Sequence, residues 1–159
     1  MTAIRKKTIE GLQAGDRFSV TRTFCREDVT LFADISRDYN PVHFERRWTK
    51  IKGFKDTICH GLLVAGMVTE IGGQIGWLAA GMDFRFKQPV YLGDTITCAF
   101  TITDIDDQGR ARAEAVFRNQ DDDVVLRAVI TGIVPGRAEK EVLQQMVAEG
   151  DPTNKLSGT

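Results

Sequence analysis

From Arg17 to Phe24 the chain alternates, with Phe18, Val20 and Phe24 set between polar neighbours. A period of two predicts a half-buried strand. Beyond it the period changes. Val29, Phe32 and Ala33 recur at helical spacing over Arg26–Ser36, and Leu31 and Ile35 widen the same face. Pro41 disfavours helical geometry at Asn40, so this helix is expected to end near Asp38. A second short helix is expected within 44–52, followed by a loop over 53–59. Gly61–Trp77 is apolar nearly all round, the pattern of a buried helix rather than an amphipathic one. Its glycines cost helix propensity, and close approach by neighbouring strands is the expected return. After Gly81 the period returns to two. Strands are expected at 82–87, 95–104, 110–119 and 124–134, with turns at Gly93-Asp94, 106–109 and 120–123.

These elements divide the chain into a loose lead-in (1–15), one main domain (16–136), and a C-terminal segment (137–159) with a short amphipathic helix and a flexible tail. The order predicts an α+β fold, in which a curled antiparallel sheet wraps a long central helix so as to bury it. One such layer covers only part of an apolar helix, so a homodimer is expected.

Composition narrows the function. The chain has 159 residues, 21 basic and 22 acidic, for a net charge of −1. No surplus of cations exists to drive nucleic-acid binding by counterion release. No stretch approaches the ~18 apolar residues of a membrane span, and the basic start of the chain is not followed by the apolar run of a signal peptide. A cytoplasmic setting is the default expectation. Cys25, Cys59 and Cys98 form no C-x-x-C pair and are expected to be reduced, buried thiols. Two histidines and scattered cysteines show no zinc-ligand spacing, so no metal is expected.

Two segments carry candidate chemistry. In the first, Asp38 and His43 flank the turn Asn40-Pro41. A separation of five residues across a turn can bring a carboxylate and an imidazole together, where they could activate a water molecule. The same residues also make a common turn composition, with His43 as a hydrogen-bonded loop residue. In the second, His60-Gly61 opens the buried helix. Free amides at a helix start can polarise a carbonyl, or His60 and Gly61 can simply ease the helix entry. Glu70 is the one charge in the buried helix. It is a candidate base or nucleophile, a partner for a cation such as Arg85, or a solvent-facing side chain.

Three blocks, in order, resemble the MaoC-like, (R)-specific enoyl-CoA hydratase family: Phe32-Ala33-x-x-Ser36-x-Asp38-x-Asn40-Pro41-x-His43, then Phe54-x-x-x-Ile58-x-His60-Gly61-Leu62-Leu63, then Arg85-Phe86-x-x-Pro89-Val90-x-x-Gly93-Asp94. The resemblance implies a hot-dog fold and hydration of trans-2-enoyl-CoA to (R)-3-hydroxyacyl-CoA, or the reverse. It implies that Asp38 and His43 activate water and that the Gly61 amide polarises the thioester. Asn40, Pro41, His60, Gly66, Arg85 and Phe86 become candidate substrate-binding residues. No metal or organic cofactor is implied, coenzyme A being part of the substrate. The sequence departs from the family at Arg37, where glycine is usual, and at Gly66, near which a small hydroxyl residue is common. The alternatives are a hot-dog thioesterase, in which Glu70 matters more than His43, and a non-catalytic acyl-CoA-binding subunit.

Overall fold

A computed structural model describes residues 1–156. It contains, in chain order, α1 (Ala3–Glu10), β1 (Arg17–Thr23), α2 (Arg26–Ser36), a 3-10 turn (Pro41–His43), α3 (Arg46–Ile51), α4 (Gly61–Ala65), α5 (Met67–Ile75), β2 (Leu78–Phe86), β3 (Thr95–Ile105), β4 (Arg110–Arg118), β5 (Val124–Ile133) and α6 (Arg137–Ala148). The strands form one antiparallel sheet in the order β1-β3-β4-β5-β2. Its inner face follows the alternation of the sequence. Ile96, Cys98, Phe100 and Ile102 of β3 face Ala113, Ala115 and Phe117 of β4, and Leu126, Ala128 and Ile130 of β5 continue the layer. Against this face α5 lays Met67, Val68, Ile71 and Ile75, all buried. Register shifts at Ala79/Gly81, Ile102/Asp104 and Phe117/Arg118 bend three of the strands. Such irregularities increase local twist and let a sheet curl around a helix. The expected α+β architecture, a curled sheet around a central helix, is present.

The structure differs from the expectations in five places. The lead-in contains a helix, α1, capped by the Thr2 side chain on the Arg5 amide and packed on α5 and α6. Eight residues are too few to hold a helix by propensity, and this one is held by the burial of Ile4, Arg5 and Thr8. The central helix is broken at Gly66 into α4 and α5, where glycine's poor helix propensity concentrates. Close strand approach is expected at Gly66, Gly72, Gly73 and Gly76, but a Cβ there would meet, in turn, the Leu62 and Leu63 carbonyls, Trp77, open space and Pro135. The close approach falls at Gly61, where a Cβ would stand 2.6 Å from the Phe86 ring of β2. β2 begins at Leu78 rather than Met82, because its first residues lie exposed at the sheet edge and show no alternation. Cys25 is exposed, while Cys59 and Cys98 are buried.

The segment after α6, expected to be loose, carries a buried anchor. Asp151, 2% exposed, meets Arg5 of α1 at 3.4 Å. The last three residues of that expected tail, 157–159, lie outside the described residues. Among the described residues no helix is long and apolar enough to cross a membrane.

Candidate active site

The end of α2 builds the first half of the site. Arg37 closes the helix in the left-handed region (φ 60°), its amide bonding to the Ala33 carbonyl. The chain then turns on short polar side chains. Ser36 Oγ accepts from the Asp38 amide, Asp38 Oδ1 from the Asn40 amide, and Asn40 Oδ1 from the Val42 amide. Pro41 opens the 3-10 turn with its fixed φ. The His43 amide bonds back to the Asn40 carbonyl at 3.0 Å. The Asn-Pro turn thereby brings Asp38 and His43 together, with Oδ2 and Nε2 3.7 Å apart.

The second half comes from the strand-like segment before α4. Ile58 bridges to Tyr91 and its amide bonds to the Val42 carbonyl, while the Cys59 amide bonds to the Val90 carbonyl. His43 Nδ1 lies 2.8 Å from the Ile58 carbonyl. A carbonyl oxygen only accepts, so Nδ1 carries the proton and a neutral ring presents a bare Nε2 to Asp38. Arg26 of α2 clamps the same region, donating to the His43 carbonyl (2.8 Å) and to Thr57 Oγ1 (2.9 Å). His43 is 6% exposed. Burial lowers its pKa from the ordinary imidazole value, and the neighbouring His60 adds to this, against the pull of the Ile58 carbonyl and of Asp38. The imidazole is therefore held in its neutral form.

Asp38, His43, His60 and Gly61 share one wall of a cavity of about 500 Å³, whose other walls are largely apolar: Phe54, Ile58, Val64, Phe86, Val90 and Leu126 among them. Gly61 is the first residue of α4, and its amide has no partner among the described residues. Phe86 crosses it so closely that only a residue without a side chain fits there undisturbed. The six cavity-wall residues just named and the Arg26–Thr57 clamp complete the site. Phe54, Ile58, Phe86 and Val90 stand in the family-like sequence blocks, but of the six only Phe86 is expected as a site residue. Alternation marks Leu126 only as part of a strand, and nothing in the sequence distinguishes Arg26 from a surface cation.

The other expected site residues stand as follows. Asn40 and Pro41 form the turn rather than the cavity wall. Gly66 lies on the far side of α4, beside Arg22 and Glu70. Arg85 is on the outer face of the sheet, paired with Asp83 at 3.0 Å. Glu70 pairs with Arg22 at 3.2 Å rather than with Arg85, and is absent from the cavity wall. Cys59 does line the cavity, but burial pushes its thiol up to about 12, far from a ready thiolate. Among the described residues, Asp38, His43 and His60 offer ligand atoms within 4.8 Å of one another. The two imidazoles are stacked at 3.7 Å, however, so their in-plane lone pairs run side by side rather than converging. That geometry suits proton handling better than tetrahedral coordination.

The sequence pattern of the MaoC like domain matches residues 11–125. The chain is 34% identical over 98 residues to an (R)-specific enoyl-CoA hydratase of Rhodospirillum rubrum, an alignment covering 59% of this chain and 68% of the relative. It is 29% identical over 140 residues to a mitochondrial 3-hydroxyacyl-[acyl-carrier-protein] dehydratase of Arabidopsis thaliana, covering 84% and 83%. Among solved structures, the unliganded R-hydratase PhaJ1 of Pseudomonas aeruginosa superposes with a TM-score of 0.74 at 26% identity, covering 81% of this chain and 86% of the other.

Proposed function

This chain belongs to the MaoC like domain family, and we propose that it is a hydratase that adds water to a trans-2-enoyl thioester, giving the (R)-3-hydroxyacyl product, or runs the reverse dehydration. The observation that carries this reading is the pair of facing acceptors. Asp38 Oδ2 and the bare Nε2 of His43 stand 3.7 Å apart at the wall of an apolar cavity. Two acceptors cannot bond each other, but one water molecule can donate a hydrogen to each. Its oxygen lone pairs are then free to attack.

The reaction follows from that placement. The water oxygen bonds to C3 of the enoyl group as one of its O–H bonds breaks, the proton passing to the Asp38–His43 pair. The electron pair of the double bond moves onto the thioester oxygen, where the unbonded Gly61 amide stabilises the developing charge. The same pair returns the proton to C2 from the same face, so addition is syn. No group beyond the side chains and the thioester enters the balance, so we read the enzyme as needing no cofactor, with coenzyme A as the carrier of the acyl group. Glu70, the base the thioesterase alternative would use, is paired with Arg22 away from the cavity, and the high thiol pKa of Cys59 leaves that alternative without a cysteine nucleophile there. We also propose that the protein is a homodimer joined along β2.

Crotonyl-CoA tests the reaction: ultraviolet absorbance reports loss of conjugation, and a thiol reagent reports hydrolysis. Hydration predicts the first signal without the second. Asp38→Asn is expected to lower kcat by about 10²–10⁴-fold, the usual worth of a general base, with the fold intact by circular dichroism. Thiol release, or undiminished turnover in folded Asp38→Asn, would rule the reading out.

A further inference from the structure

His60 lines the cavity but has little to offer a substrate. Its Nε2 lies 2.9 Å from the backbone carbonyl of Asp38, which can only accept, so the neutral ring carries its proton there. Its other nitrogen, Nδ1, is buried and has no hydrogen-bond partner. The residue as a whole is 1% exposed. What the ring does touch is the catalytic pair. Its face stacks on His43 at 3.7 Å with 30° between the planes, and Phe32 of α2 backs it at 4.9 Å. One residue thus grips the Asp38 main chain with an edge and the His43 side chain with a face.

We infer that His60 is a positioning residue that sets the spacing between Asp38 and His43. This inference rests on the hydration reading and deepens it. Asp38 needs such a hold. Its own side chain is half exposed, and it follows Arg37, whose left-handed backbone is unfavourable for a residue with a Cβ. The local hydrogen bonds of the turn, Ser36 to Asp38 and Asp38 to Asn40, are both 3.2 Å long. The His60 bond is the shorter and the more buried, and it ties the turn to α4, whose first amide is that of Gly61. The two acceptors that hold the water and the amide that receives the charge are thereby referred to one element.

The groups facing His43 are few: the Asp38 carboxylate from its own turn, the His60 ring from α4, and Arg26 from α2, which reaches only its carbonyl oxygen. A second imidazole stacked on the ring disfavours the His43 cation. Removing it should raise the His43 pKa toward the ordinary value. Burial is the larger cause of that depression, so the titration reports loss of the stacked ring, while the split between kcat and KM reports the positioning.

The chain contains only two histidines, so their ring nitrogens can be read one by one in ¹⁵N–¹H spectra. The wild-type protein, without substrate, should show His60 protonated at Nε2 and His43 at Nδ1. Two variants separate the grips. His60→Gln keeps a donor near the place of Nε2 and loses the stacked ring; His60→Phe keeps a stacked ring and loses the donor. The expected order of kcat for crotonyl-CoA hydration is wild type, then Gln, then Phe. The Phe variant should fall about 10- to 100-fold, the scale of a misplaced reacting group, with KM changed by less than about threefold. His43 should titrate higher in the Gln variant than in wild type.

Nδ1-protonated His60 in the wild type, a folded Phe variant with wild-type kcat, or a rise in KM alone would each overturn the positioning role. The tautomer and titration measurements need no turnover. The tautomers are read in the wild type, so Nδ1-protonated His60 overturns the role even if both variants lose stability and even if no enoyl thioester proves to be a substrate; the titration is read in the folded Gln variant.

Discussion

Between Asp38 and His43 the sign of the proton balance decides what the site can do. A protonated His43 would close the gap as an ion pair and leave no second acceptor for water; a neutral one keeps the gap open. Burial and the stacked His60 depress the His43 pKa, so Nε2 should stay bare at pH values where a free imidazole, with a pKa of about 6.5, is already half protonated. The acid limb of the kcat/KM profile is therefore expected below about 6.5. A limb at or above that value would contradict the neutral role. The same depression has a stability consequence, since the unfolded chain takes up this proton first. The contribution of His43 is complete above its unfolded pKa and is lost as pH falls toward the lower folded one. Arg37 offers a second test at this scale. It sits at φ 60° at a position where the family resemblance expects glycine, and it forms no ion pair among the described residues. The left-handed conformation costs a residue with a Cβ about 1–2 kcal/mol, and glycine's extra backbone entropy returns about 0.5–1 kcal/mol of that. Arg37→Gly is then expected to stabilise the protein by up to about 1.5 kcal/mol in urea titration. A clear loss of stability would mean that the guanidinium holds something in the folded state.

At the scale of elements, the site hangs on how closely the end of the central helix meets the sheet. After α5 the chain leaves through Trp77 into β2, and Trp77 lies over Gly132 of β5. A Cβ at Gly132 would overlap both the Trp77 indole nitrogen and the Leu78 carbonyl. Neither can swing aside as a flexible side-chain tip would, so Gly132→Ala is expected to cost about 3 kcal/mol, the upper range for overpacking. Chemical denaturation measures it, and a loss below about 1 kcal/mol would show that the junction yields. Period alone located α2, β3, β4 and β5 in the sequence, because each buries one face and exposes the other. It missed α1, whose burial depends on Arg5 meeting Asp151 from the other end of the chain. It also missed the start of β2, whose edge position leaves both faces largely exposed. At the site, the Asn40-Pro41 turn made the meeting of Asp38 and His43 legible. The Ile58 carbonyl that fixes the His43 tautomer was not legible, since every residue has a carbonyl and none marks its direction in sequence.

For the whole molecule, the remaining question is what covers the free edge of β2. The sheet order leaves β1 and β2 as its two edges. The β1 edge carries Arg17 and Arg22 among its exposed residues, a common defence against edge pairing. β2 has charges only at Asp83 and Arg85, paired with each other, and exposes large apolar side chains: Leu78 is 71% exposed, Met82 41% and Phe86 54%. Antiparallel pairing of β2 with its copy would extend the sheet about a two-fold axis, with the same patch used on both sides. Met82, midway along β2, would then lie nearest the axis and close to its own copy. Phe86, at the end of the strand, both crosses Gly61 and walls the cavity, so the joint and the site would share a residue. Light scattering is expected to give twice the 17.7 kDa chain mass. Met82→Lys would set like charges against each other across the axis, which is destabilising in a strand pair. It should shift the protein toward single chains and lower kcat/KM as the Phe86 wall loses its support. A wild-type mass of one chain would remove the dimer. A Met82→Lys protein that keeps its doubled mass would place the joint elsewhere, and with it the wall of the cavity that depends on Phe86.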